Sequence, residues 1–110
     1  MKESQNVKVV VFVPETHTDA VRKAIGDAGA GKIGNYSRCT FSSKGQGHFL
    51  PLEGAHPSIG EVGKMEAVAE ERIEFICDKS LLAKVIEAMK QVHPYEEVAF
   101  DIYPLLAHEV

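Results

Sequence analysis

The sequence predicts an α+β sandwich, a β-sheet with helices packed on one face. Three observations carry that expectation: an almost unbroken β-branched run near the N-terminus, two amphipathic helical segments far apart in the chain, and strand-like segments between and after them. The chain has 110 residues, 45% hydrophobic and 25% charged. Those are globular averages for one core, which excludes disorder, collagen-like repeats and a disulfide scaffold. A single domain over 1–110 is expected, with 1–6 and 106–110 as flexible tails.

Residues 7–14 read VKVVVFVP, a run suited to a central strand buried on both faces. Thr18 is then placed to cap a helix with Asp19 in its first turn, and Ala20, Val21, Ala24, Ile25 and Ala28 recur at helical spacing. Gly29 or Gly31 supplies the stop. Strand-like segments follow at 36–43, 47–51 and 65–77. The last is longer than an average strand and its alternation slips near Ala69 to Glu71, where a bulge is expected. A second helix, capped by Asp78 or Ser80, aligns Leu81, Leu82, Val85, Ile86, Met89 and Val92 in one apolar stripe, and Pro94 ends it at His93. Segment 97–104 is the final strand. The order β-α-β-β-β-α-β, with helical crossovers on one sheet face, describes a ferredoxin-like sandwich with an extra central hairpin.

Glycine is distributed unevenly: eight of nine fall between positions 29 and 63. Gly45 and Gly47 read as a hairpin turn, and Gly54, Gly60 and Gly63 shape a Gly-rich loop over 52–64, long enough to be a ligand loop as well as a connection. Gly45-x-Gly47 opens no helix and lacks the Lys-Ser/Thr of a P-loop, so neither nucleotide fingerprint is met. Twelve Lys and Arg against 16 Asp and Glu give a net charge of −4, which offers no footprint for nucleic acid. No run approaches 18 apolar residues and the N-terminus has no signal-peptide pattern, so no membrane partner and a cytoplasmic location are expected.

From residue 31 to residue 74 the sequence carries a string of separate matches: Ile33-Gly34-Asn35-Tyr36, Cys39 with Phe41, Gly45 with Gly47 and Phe49, Pro51, Gly54-Ala55, Pro57, Ile59-Gly60, Gly63, Glu66 and Arg72-Ile73-Glu74. His93-Pro94-Tyr95-Glu96-Glu97 and Tyr103-Pro104 complete it. With these the chain resembles the insert of the NGG-interacting-factor-three-like family, the GTP cyclohydrolase type two homologues, over nearly its whole length. The resemblance implies a stand-alone version of that PII-like/CutA-like insert. It also implies that the family's two-metal lobes, with their His, Asp and Glu ligands, have no counterpart here. His93-Pro94-Tyr95-Glu96 is similar to the helix-end motif of the CutA-like divalent-ion tolerance proteins. Both groups imply a homo-oligomer, with a trimer preferred over a dimer, and the open edges of a small sheet favour self-association on physical grounds.

Candidate ligand-binding residues are Asn35, Tyr36, Gly45, Gly47, Phe49, Gly54, Pro57, Gly60, Glu66, Tyr95 and Glu96, set between subunits around the Gly-rich region and the helix end. No cofactor is assigned. A divalent metal ion is held open because imidazole and thiolate suit zinc or copper, with His93, Cys39, His48 and His56 as its candidates; their scattered spacing gives no ligand motif. His93 at a helix C-terminus is expected to favour its protonated form and to pair with Glu96. Asn35 is expected in a turn and Tyr36 with its ring in the core. Glu66, Glu70 and Glu74 share a strand face, expected to be solvated, with Arg72 the place to look for a buried pair. Cys77 reads as a buried small hydrophobe, and both thiols are expected reduced. No catalytic residue is assigned. Three functions stay open: a non-enzymatic oligomeric domain binding a small anion, nucleotide, metal ion or protein partner; a metal-dependent hydrolase or cyclohydrolase acting on a nucleotide-like substrate; and a purely architectural assembly module.

Overall fold

The computed structural model describes residues 1–107; His108 and the end of the expected C-terminal tail lie outside the described residues. The chain runs β1 (Glu3–Pro14), α1 (Thr18–Asp27), β2 (Phe41–Phe49), β3 (Glu66–Asp78), α2 (Leu82–Val92) and β4 (Phe100–Leu106). Single 3₁₀ turns at Glu15–His17 and Lys79–Leu81 lead into the two helices. The strands form one antiparallel sheet in the order β2-β3-β1-β4. Each helix therefore links two strands that run the same way with a third between them, the ferredoxin-like arrangement.

The β-branched run behaves as its composition requires. Val7, Val9, Val11 and Val13 of β1 face the helices and pack with Ile73, Phe75 and Cys77 of β3, Val21 and Ile25 of α1, and Val85 and Met89 of α2. Val10 points to the opposite face and is still fully buried, so β1 is the central strand on both sides at that level. The expected α2 stripe is complete, with Leu81, Leu82, Ile86 and Val92 packed against the same core. Burial pushes the Cys77 thiol up from its ordinary range, in keeping with a packing role.

Helix ends use local polar chemistry. The Asp78 side chain accepts from the Ser80 backbone N–H at 2.8 Å and from its hydroxyl at 2.7 Å, which caps the entry to α2. Thr18 caps nothing: it is buried, and its hydroxyl donates to the Glu15 carbonyl at 3.3 Å because the 3₁₀ turn starts the helical path one turn earlier. At the end of α1, Ala30 N–H bonds to Ile25 O and Gly29 N–H to Gly26 O, both at 3.0 Å, a Schellman closure with Gly29 at φ 102°.

Four expectations are corrected. The extra hairpin is absent: segments 36–43 and 47–51 fuse into the single strand β2, with Gly45 opposite Glu70 and Gly47 opposite Val68. β2 is an edge strand, where a residue without a side chain loses little packing. β3 has no bulge at Ala69–Glu71, because its register with β1 and β2 is unbroken; two partners share its length, β2 pairing Glu66–Glu74 and β1 pairing Glu70–Asp78. The irregularity lies between Glu3 and Val7, where β1 meets β4. The expected 1–6 tail contributes Glu3–Asn6 to β1, held by Gln5 Nε2 donating to Asp78 Oδ1 at 3.1 Å and by Ala107 N–H donating to Lys2 O at 2.8 Å. The last strand starts at Phe100 instead of 97, since residues 94–99 are used in a turn that ends with Phe12 N–H donating to Ala99 O.

Gly29 tests the helix closure. A methyl there meets Leu81 Cδ1 at 3.0 Å, on a backbone that L side chains rarely adopt. Gly29→Ala is expected to lower the unfolding free energy by about 1–2 kcal/mol, read as a lower urea midpoint with an unchanged m-value. An unchanged midpoint would show that the closure carries no strain.

Candidate functional site

Beyond Pro14, β3 pairs with β2 alone, so Glu66–Ala69, the facing end of β2 and the 50–65 loop form an arm that overhangs the sandwich. The loop closes on itself through Gly63 N–H donating to Pro51 O at 2.8 Å and Ala55 N–H donating to Leu52 O at 3.0 Å. An isolated two-stranded ribbon is marginal in water. This one is held down by the turn that follows α2.

That turn starts from Pro94, which stops the helix at Val92 and leaves His93 as its extended C-cap residue. The buried His93 ring uses both nitrogens: Nε2 donates to Phe12 O at 2.8 Å, and Nδ1 accepts the Tyr95 backbone N–H at 3.2 Å. Those partners specify a neutral imidazole. Burial holds its pKa below the ordinary histidine value, and the Phe12 carbonyl and the Glu70 charge oppose that only in part. The expected protonated His93 paired with Glu96 is therefore corrected. Glu96 Oε1 instead accepts the His56 backbone N–H at 2.8 Å, across 40 residues of sequence.

Tyr95 completes the clamp. Its ring meets Phe49 edge-on, with centroids 5.9 Å apart, and lies 5.0 Å from the His93 ring. Its hydroxyl donates to Glu70 Oε2 at 2.8 Å. Loss of solvent and the adjacent carboxylate push the phenol well above its usual pKa. Glu70 is 9% exposed, although it stands on the sheet face that carries no helix. Gly47 makes room for it: a Cβ at that position would overlap Glu70 Oε1. Position 47 thus needs glycine for close approach and not for a turn.

Between the loop and the clamp lies a cleft of about 410 Å³. Phe49, Leu50, Pro51, Leu52, Pro57 and Ile59 supply apolar walls, and Glu70, Tyr95, Glu96, Glu97 and His48 supply the polar groups. A second cleft of about 430 Å³ adjoins it across Gly47 and Glu70, bordered by Phe12, Lys44, Gly45 and Arg72. Arg72 forms no buried pair; it is partly exposed, 3.6 Å from Glu74 and over the Phe12 ring at 5.8 Å.

Of the residues singled out from the sequence, the fold gathers Gly47, His48, Phe49, Pro57, Tyr95 and Glu96 around the first cleft, with His93 directly behind it. Gly45 borders the second. Gly54 and Gly60 shape the loop at φ 98° and 94° without lining the cleft, and Glu66 lies against Gly60. Asn35 and Tyr36 belong to a tight turn in which Ile33 and Tyr36 exchange backbone hydrogen bonds at 2.9 Å. Tyr36 is 75% exposed, so its ring is not in the core; Gly34, two residues earlier in the turn, takes the left-handed position. Cys39 lies beside Gly31, its thiol 3.9 Å from Ser37 O. Among the described residues no group of three or more His, Cys, Asp or Glu side chains is arranged to hold a metal ion. Sequence reasoning missed Glu70 as a site residue and took its face as solvated. The only signal was positional: glycines on the opposing strand leave space above that face.

No protein-family model matches the chain. The GTP cyclohydrolase 1 type 2 homolog of Halalkalibacterium halodurans is 59% identical over 98 residues, covering 89% of this chain and 26% of that protein. The crystal structure of a Bacillus cereus protein related to NIF3 superposes with a TM-score of 0.80 at 60% identity, over 94% of this chain and 26% of that one. The chain is homologous to one segment of the NIF3-related proteins. It spans about a quarter of the length of these relatives. The divalent cation tolerance protein CutA of Archaeoglobus fulgidus shares the fold, with a TM-score of 0.67 at 16% identity over 94% of this chain and 87% of that one. The chain therefore has a ferredoxin-like fold similar to that of the CutA and PII-like proteins. No helix among the described residues is long and apolar enough to cross a membrane.

The neutral His93 has a thermodynamic consequence. Its folded pKa lies below its unfolded value, so the unfolded chain takes up more protons as the solution is acidified. This contribution to stability is complete above about pH 6.5 and is lost as the pH falls below that value. Melting curves between pH 8 and pH 5 are expected to show Tm dropping in that window. In His93→Gln, whose amide can donate to Phe12 O and accept from Tyr95 N–H, the drop should flatten; an unaltered slope would assign it to other groups.

Proposed function

We propose that this domain is a non-enzymatic, oligomeric binding module of the cytoplasm, which takes a small ligand in the cleft between the 50–65 loop and the turn after α2 and reports its occupancy to a partner. One observation carries this reading. The groups that border the cleft are the groups that hold the arm: Tyr95 on Glu70, Phe49 on Tyr95, and Glu96 on the His56 backbone. A ligand among them changes the hold on the arm, which is the coupling a regulatory domain needs. The cleft volume and its apolar walls with a few convergent polar groups also fit a small-molecule site.

Self-association is supported by the uncovered sheet face. The helices pack on one side, and the other presents Phe12, Phe41, Ile76 and Tyr103, with Phe41 68% exposed and β2 and β4 as open edges. A trimer is the assembly implied by the resemblance to the PII-like and CutA-like groups. In sedimentation equilibrium at micromolar concentration a mass of three chains is expected, falling toward one chain in Tyr103→Glu; a wild-type monomer would overturn the oligomeric part. In a thermal-shift panel of nucleotides, organic acids, amines and divalent ions, a true ligand at 100 times its Kd should add about 2.7 kcal/mol of stability. That gain should be lost in Ile59→Glu, which places a charge in the cleft wall. Silence across the panel would leave the architectural reading.

A further inference from the structure

The Glu70 carboxylate is the least explained group in the described fold. It is buried, yet its one side-chain hydrogen bond comes from the neutral Tyr95 hydroxyl, on Oε2. Among the described residues no Lys, Arg or His forms an ion pair with it. Arg72, two residues along the same face, is turned to Glu74 and Phe12, and both nitrogens of His93 are taken by backbone groups. Oε1 fills the space left by the missing Gly47 side chain, has no hydrogen-bond partner and is not sealed from solvent, and Glu70 borders both clefts. A carboxylate held largely out of bulk water with no cation beside it is unfavourable, and one that borders an open cleft suits a partner that supplies the charge.

We propose that the 410 Å³ cleft binds a small organic cation, an ammonium or guanidinium group on an apolar body, with the charge on Glu70 Oε1. This rests on the reading of the cleft as a ligand site. Glu96 and Glu97 on the rim add negative potential, and the Phe49 and Tyr95 rings offer the aromatic surface that cations favour. The body of the ligand lies against Leu50, Leu52, Pro57 and Ile59. An anion is disfavoured here by three carboxylates, since the nearby cations Lys44 and Arg72 border the adjoining cleft instead.

Calorimetric titration of the full chain at pH 7.5 with 2-phenylethylamine, 2-phenylethanol and 3-phenylpropionate tests this, because the three share one apolar body and differ in charge. The amine is expected to bind at least tenfold more tightly than the alcohol, and the carboxylate not to bind. Glu70→Gln, which still accepts from Tyr95, should weaken the amine at least tenfold and leave the alcohol unchanged. Glu97→Gln, at an exposed rim position where folding is not at stake, should weaken the amine two- to threefold. Equal binding of amine and alcohol, or an amine affinity untouched by Glu70→Gln, overturns the cation while leaving the cleft as a ligand site. Tighter binding of the carboxylate overturns it in favour of an anion. Failure of all three probes overturns both readings. A change of sedimentation mass in Glu70→Gln without amine binding assigns the carboxylate to a cation of a neighbouring subunit, and overturns the small-molecule proposal.

Discussion

The neutral ring of His93 is the point on which the clamp end of this fold depends. It joins three pieces of chain that sequence keeps far apart: the end of α2, the end of β1 at Phe12, and the Tyr95 turn. Each nitrogen satisfies a backbone group that would otherwise be buried without a partner, a loss of about 1–3 kcal/mol apiece. From that fixed ring, Tyr95 is aimed at Glu70 and Phe49, and Glu96 at the loop. The arm is held from the sandwich by side chains of a single short turn.

The polar clamp is set in an otherwise apolar neighbourhood, and its parts depend on one another. Glu70 fits only because position 47 lacks a side chain, and Tyr95 meets Glu70 only because His93 orients the peptide between them. The arm meets the helix end through Glu96 on the His56 backbone, Phe49 on Tyr95 and Glu70 on the Tyr95 hydroxyl. In the valine-rich core beneath it, β1 is buried from both sides at Val10, with an unbroken ladder to β3 and a second, interrupted one to β4.

The parts legible in the sequence were those governed by short-range pattern. Periodicity gave the α2 stripe from Leu81 to Val92, proline chemistry gave its end, Asp78 gave its cap, and the β-branched run gave the central strand. What escaped was set by contacts distant in sequence. Gly45 and Gly47 look like a turn to any local rule, but an edge strand tolerates them, and one of them makes space for a residue 23 positions later. Glu70 looks like a solvated charge because Tyr95, 25 residues on, is invisible to alternation. Tyr36 looks like a core aromatic because composition does not say which way a tight turn rotates its ring. Within the motif from His93 to Glu96, local proximity points to a pair of those two residues, but His93 bonds to Phe12 O and Tyr95 N–H and Glu96 to the His56 backbone.

The first and last strands end side by side, with Ala107 bonded to Lys2. A polypeptide can therefore pass into this fold and out of it through a single doorway on the sheet, and the rest of a longer chain need not stretch or reroute to accommodate it. The relatives in which this fold makes up 26% of the length fit that geometry. The doorway opens between the starts of β1 and the end of β4, whereas the clamp sits at the opposite ends of those strands, beyond Phe12 and ahead of Phe100. The doorway and the clamp thus lie at opposite ends of one sheet, so a segment joined at the one is kept a strand's length from the other.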